Sequence, residues 1–198
     1  MNTSTTFDLQ SYFRGEHAEL RTVVDATYAK VAEPFRRLVG ICAKSVTTGG
    51  KLIFFGNGGS AADAQHFAAE LVVKYGKDRP PIAAVALNTD TSVITALVND
   101  YGMEHLFARQ VRAIGRNGDV VIGMSTSGNS ANILKAMEAA KDMGITPAAF
   151  AGGTGGKLVG LSDPLLIVAS TNTARIQEMH TFLGQALCGA LERQLGLV

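Results

Sequence analysis

The chain has 198 residues, of which 46% are hydrophobic and 18% charged, with a net charge of +1. That composition suits one globular domain with a buried core, offers no basic footprint for nucleic acid, and contains no apolar run long enough for a membrane span. Cys42 and Cys188 lack metal-ligand spacing and read as reduced, buried thiols; Met1 to Thr6 lack the basic and apolar regions of a signal peptide, so a cytoplasmic location is expected.

Residues from about Phe7 to Val46 predict two helices, with Ala26, Val31, Phe35, Leu38, Val39 and Cys42 at helical spacing and Pro34 at a first turn or a break. This arm (residues 1–48) carries no chemistry of its own and needs its own sheet or another subunit to cover its apolar stripe. After Gly49-Gly50 the pattern alternates. Strands are expected near 51–55, 82–87, 119–124, 146–150 and 164–168, and helices near 60–75, 91–98, 103–114, 131–143 and 174–195. Short, continuous runs of Val, Ile and Ala suit parallel strands covered on both faces. The expected fold is a doubly wound α/β sandwich of about five parallel strands over residues 49–198, forming one domain with the arm. Ligands on such a sheet sit beyond the carboxyl ends of its strands.

Two loops lie there. The first is Gly56-Asn57-Gly58-Gly59-Ser60, where glycines expose backbone N–H groups at a helix start and Ser60 is the expected N-cap. It also fits Gly-x-Gly-x-x-Ala, but the second strand ends in Asn88-Thr89-Asp90, about ten residues late for the acidic partner of a dinucleotide fingerprint, so no nucleotide cofactor is expected. The second loop has Ser125, Thr126, Ser127 and Ser130 within six residues, more hydroxyls than one cap needs. Together they point to a phosphorylated small molecule. Asn99-Asp100-Tyr101-Gly102 reads as a linker between helices at the same edge.

On the helix after the first loop, His66 and Glu70 are four apart and share a face, with Asp63 close to it. Such a pair can hold a divalent metal, place a carboxylate against substrate carbons, or merely be solvated. The last helix has an apolar stripe from Ile176 to Leu195 and, beside it, a polar or small stripe of Gln177, Thr181, Gly184, Gln185 and Cys188, expected to face a partner or a site. His180 on that helix fits a satisfied structural histidine, and His17 and His105 fit the surface.

Four motifs in order, Gly56 to Leu71, Asn99 to Gly102, Ser125 to Ser130 and Arg175-Ile-Gln-Glu-Met-His180, make the chain similar to the phosphoheptose isomerases, which are sugar isomerase (SIS) domain proteins. The resemblance implies a flavodoxin-like SIS domain and a cytoplasmic homotetramer with sites at subunit interfaces. It also implies conversion of sedoheptulose 7-phosphate to a manno-heptose 7-phosphate, towards nucleotide-activated heptose for lipopolysaccharide core. It assigns substrate contacts to Asn57, Gly58, Gly59, Ser60, Asn99, Asp100 and Gln177, and the phosphate to Ser125, Thr126, Ser127 and Ser130. It makes Glu70 the catalytic base and His66, Glu70 and Gln177 the ligands in members that bind zinc. One position departs: the family's second histidine, eight residues after Gln177, is Gln185 here, and glutamine neither exchanges a proton near neutral pH nor commonly binds zinc. A smaller departure is Ala151, where relatives usually carry Thr. The second acid/base role is left to His180, a metal-polarised oxygen, or a water held by Gln177 and Gln185. If those two glutamines serve one site, about 12 Å of helix between them assigns them to different subunits. The alternatives are a non-catalytic binding protein resembling the one that associates with the DnaA initiator, and a sugar-phosphate sensor.

Overall fold

The computed structural model describes residues 7–198; the first six residues of the arm, and the signal-peptide reading placed on them, lie outside it. Strands β1 (Leu52–Gly56), β2 (Ala84–Ala86), β3 (Val120–Ser125), β4 (Thr146–Gly152) and β5 (Leu165–Val168) form one parallel sheet in the order β2-β1-β3-β4-β5. The register runs Leu52 with Ala84 and Val120, then Val120 with Thr146, then Ala149 with Leu165. β1 and β3 are buried at every position, because helices cover both faces.

Period-two alternation sorts the strand side chains. Leu52, Phe54, Val120, Ile122, Phe150 and Leu166 face a layer made of α1 (Leu9–Thr47), α2 (Gly59–Val72) and α6 (Thr173–Gln194). Ile53, Phe55, Val121 and Ala149 face α3 (Thr91–Tyr101), α4 (Leu106–Ile114) and α5 (Ala131–Asp142). Cys42 and Cys188 are free and buried in the first layer, and burial pushes the Cys188 thiol up to about 12. No helix among the described residues is long and apolar enough to cross a membrane.

The arm corrects the two-helix expectation: α1 is a single helix of 39 residues with Pro34 inside it. An interior proline costs roughly 3 kcal/mol and one backbone hydrogen bond. Here Val31, Leu38 and Cys42 are buried on either side of it, and their packing against the sheet and α6 outweighs that loss. The arm therefore covers its own sheet from Val23 onward, while Phe7, Leu9, Tyr12 and Phe13 remain exposed.

Candidate active site

β1 and β3 are neighbours, and the chain leaves them on opposite faces, into α2 and α5. This is the switch point of the sheet, where a crevice opens between the two loops. Side-chain amides tie them together. Asn57 Nδ2 donates to Asn132 Oδ1 (3.0 Å), and Asn132 Nδ2 donates to Asn57 Oδ1 (2.8 Å). On the other side of β1, Asn88 accepts from the Gly56 amide (3.3 Å) and donates to its carbonyl (2.9 Å). Gly58 turns the chain into α2 at φ 55° and ψ −121°, a conformation that a side chain would strain.

The ends of the helices differ in a telling way. α1, α3 and α6 are capped by Asp8, Asp90 and Asn172, whose side chains accept from first-turn amides. α2 and α5, which follow the two loops, have no side-chain cap; neither has α4, which continues directly from a 3-10 turn at Met103–His105. Ser130 occupies the cap position of α5, but its hydroxyl bonds Ser125 Oγ at 3.0 Å instead. Among the described residues, the amides of Ala131 and Asn132 have no partner, so the positive end of α5 stays open to an anion. For α2 the expectation is corrected: the cap position is Gly58, and Ser60 lies buried inside the first turn. The helix starts two residues early because the glycine turn itself brings the Ser60 and Ala61 amides to the carbonyls of Asn57 and Gly58.

Beside the second loop, Thr126 and Ser127 line a cleft of about 500 Å³ with Thr154, Ser170, Thr171 and Thr173. Its walls carry hydroxyls and glycine backbone and no charged side chain. The last four, three threonines and one serine, were not singled out in the sequence; their signal is their position, since the segments after β4 and β5 share the carboxyl edge of the sheet.

The polar stripe of α6 lies along α2 of the same chain, the two helices running parallel in matched steps. Gln177 sits over Gly59, where a Cβ would come within 2.8 Å of its Nε2. Thr181 Oγ1 donates to Asp63 at 2.9 Å, and burial of Asp63 raises its pKa. Gln185 Nε2 lies 2.9 Å from His66 Nε2, which is 3.0 Å from Glu70 Oε1. A protonated Nε2 donates to Glu70; an unprotonated one accepts from Gln185. The Glu70 side chain is 22% exposed and the His66 side chain 48%, so both are reachable from outside the chain. Glu70 stands eleven residues past Gly59, about 16 Å down the helix axis from the first loop.

Other expected site residues lie elsewhere. Asn99 to Tyr101 form the last turn of α3 rather than a linker, and Asn99 donates to Asp100 at 2.7 Å. Asp100 borders a groove with Arg109 and Gln110. No hydrogen bond joins either residue to the two loops among the described residues. His180 is fully buried; its Nε2 is 3.2 Å from the Ala151 carbonyl and its Nδ1 has no partner. Burial lowers its pKa to about 4, against the pull of that carbonyl. A neutral ring sealed beside Phe150 has no route to a substrate oxygen, which removes His180 from the acid/base set.

The zinc expectation meets an incomplete donor set. No group of three or more His, Cys, Asp or Glu among the described residues is placed to hold a metal. His66 and Glu70 supply one imidazole and one carboxylate, the third neighbour is the Gln185 amide, and Gln177 is two turns away against Gly59. Zinc takes three or four nitrogen, sulfur or carboxylate ligands, so the residues of one chain do not fit it.

The chain is similar to known proteins over most of its length. The SIS domain family model matches residues 17–152. The phosphoheptose isomerase of Paramagnetospirillum magneticum is 59% identical over 177 residues, covering 89% of this chain and 91% of that protein. The solved phosphoheptose isomerase of Neisseria gonorrhoeae superposes with a TM-score of 0.88 at 43% identity, covering 94% of this chain and all of that one. That of Francisella tularensis gives 0.91 at 33% identity with the same coverage. Sequence, sheet order and the paired loops at the switch point agree: the chain belongs to the phosphoheptose isomerases of the SIS-domain family.

Proposed function

We propose that the protein converts sedoheptulose 7-phosphate to D-glycero-D-manno-heptose 7-phosphate in the supply of nucleotide-activated heptose. The observation that carries this reading is the pair of loops clamped at the switch point, with an uncapped helix start behind the hydroxyl-rich one and a carboxylate–imidazole pair on the helix leaving the other. The phosphate would be held by the Ala131 and Asn132 amides and by Ser125, Thr126, Ser127 and Ser130, with no cation needed. Isomerisation moves a proton from C1 of the ketose to C2 through an enediol, while a second proton passes from the C1 hydroxyl to the C2 oxygen. Glu70 takes and returns the carbon proton. His66 is the proton-exchanging side chain within reach for the oxygens, and Gln185 orients its ring. No step is routed through zinc, because the donor set of one chain does not fit it.

A heptose phosphate bound at one chain's loops does not reach the same chain's Glu70 about 16 Å away. We therefore infer that the base comes from a neighbouring subunit of a homotetramer. Supporting this, Phe13, Tyr28 and Phe182 are 72%, 73% and 56% exposed, and the last two border an apolar groove of about 500 Å³ between α1 and α6. A cytoplasmic location is proposed with it, supported by two buried, unpaired thiols. The non-catalytic alternative is not favoured: the curated relatives carry the isomerase name, and the chain keeps Glu70 beside His66.

The test is purified protein with sedoheptulose 7-phosphate, product followed by NMR, and fructose 6-phosphate as the shorter control. Glu70→Gln should abolish turnover while phosphate-ester binding, read by calorimetry, stays within about twofold of wild type. Full turnover by Glu70→Gln would refute the assigned base.

A further inference from the structure

Arg79 lies between α2 and β2, outside every motif of the site, yet its side chain has no exposed surface. Its guanidinium donates to Glu192 Oε1 of α6 (2.8 Å), to the carbonyls of Leu71 (2.7 Å) and Pro80 (3.0 Å), and to the carbonyl of Glu70 itself (2.8 Å). Glu192 also accepts from the Tyr75 amide at 2.9 Å. Burial alone would raise the Glu192 carboxyl, but the Tyr75 amide and the Arg79 guanidinium more than offset it, so the acid stays below the usual carboxylate range.

We propose that Arg79, anchored by Glu192, is a positioning residue that holds the backbone of Glu70 at the working end of α2. This deepens the proposed function and rests on the reading of Glu70 as the base. α2 ends at Val72 with no basic residue in its last turn, so the Glu70 and Leu71 carbonyls are among those that the helix leaves unpaired. Arg79 bonds both with one rigid fork, the Leu71 carbonyl also accepting from the Ile82 amide, and adds the positive charge that a helix C-terminus favours. The carboxylate of α6 fixes that fork. One end of the parallel helix pair is set by Gly59 against Gln177, and the other by this buried pair, so Glu70 cannot slide along α6. A fully buried ion pair is a poor device for stability alone, since apolar residues of the same volume serve as well. A carboxylate that must meet a carbon proton within a fraction of an ångström is a different demand, and small displacements there cost rate.

Two variants test the proposal. Arg79→Lys keeps the charge and loses the fork; Glu192→Gln keeps the shape and loses the anchor's charge. The expected result, in variants whose thermal midpoint and circular dichroism show a native fold, is kcat reduced about 10- to 100-fold with KM changed less than about twofold, because the phosphate loops are untouched. Wild-type kcat in a folded variant, or a rise in KM without loss of kcat, would overturn the positioning role. If Arg79→Lys does not fold, the isosteric Glu192→Gln decides by the same split, and loss of fold in both assigns the pair to stability and overturns the proposal. Glu70→Gln assayed alongside separates the two readings: its turnover tests the base, whereas the kcat split of the other two tests the latch.

Discussion

Gln185 reaches His66 at 2.9 Å, close to where a third metal ligand would stand. An amide there orients the imidazole but brings neither charge nor a titratable proton. Gln185→His should therefore add the missing donor and give two imidazoles and one carboxylate, a set zinc accepts. The expected outcome is stoichiometric zinc by elemental analysis of the variant after exposure to the metal, and a zinc-free variant would show that the cluster is misaimed. His180 acts on stability instead. Its folded pKa of about 4 lies below the ordinary value of 6.5. Between those values the unfolded chain takes up a proton that the folded chain refuses, so stability declines as pH falls through that window, by about 3 kcal/mol in all. Urea unfolding across the window should show this slope, and His180→Gln should flatten it.

Among the elements, the pairing of α2 with α6 governs the site. The stripe of Gln177, Thr181, Gly184 and Gln185 was visible in the sequence as a second face, but its partner was not, because helical periodicity gives a direction around an axis and no identity to what lies there. Gly184 shows the closeness of the fit: a Cβ at this position would come within 2.0 Å of the Phe67 ring. Gly184→Ala should destabilise the fold by about 2–3 kcal/mol through overpacking, a fall of roughly 5–10 °C in thermal midpoint by calorimetry. Phe67→Leu in the same chain should recover part of it. Pro34 marks the opposite lesson. Local propensity predicts a break, and burial of Val31, Leu38 and Cys42 around it keeps α1 continuous.

At the scale of the molecule, the separation of about 16 Å between the glycine loop and Glu70 is the ground for the proposal that loop and base come from different subunits. Complementation checks this. A Glu70→Gln chain lacks the base, and a Ser127→Asp chain repels the phosphate at its own loop. Each alone should be inactive, while co-expressed mixtures should regain turnover through sites that combine a sound loop from one chain with a sound carboxylate from another. Inactive mixtures, shown to be mixed by mass spectrometry, would return the whole reaction to one chain.

The sequence by itself determined the strand–helix alternation, the two anion-ready loops and the His66–Glu70 face, because each rests on local spacing and on the chemistry of neighbouring residues. Tertiary structure decided which of those pieces meet. Strand order set the two loops side by side, where Asn57 and Asn132 clasp each other across 75 residues of chain. Packing sealed His180 away, turned the α6 stripe inward onto α2, and tied Glu70 to Arg79 and Glu192. The reason is that contacts between segments distant in the chain arise from the summed burial of whole helices and strands, which no short stretch of sequence records.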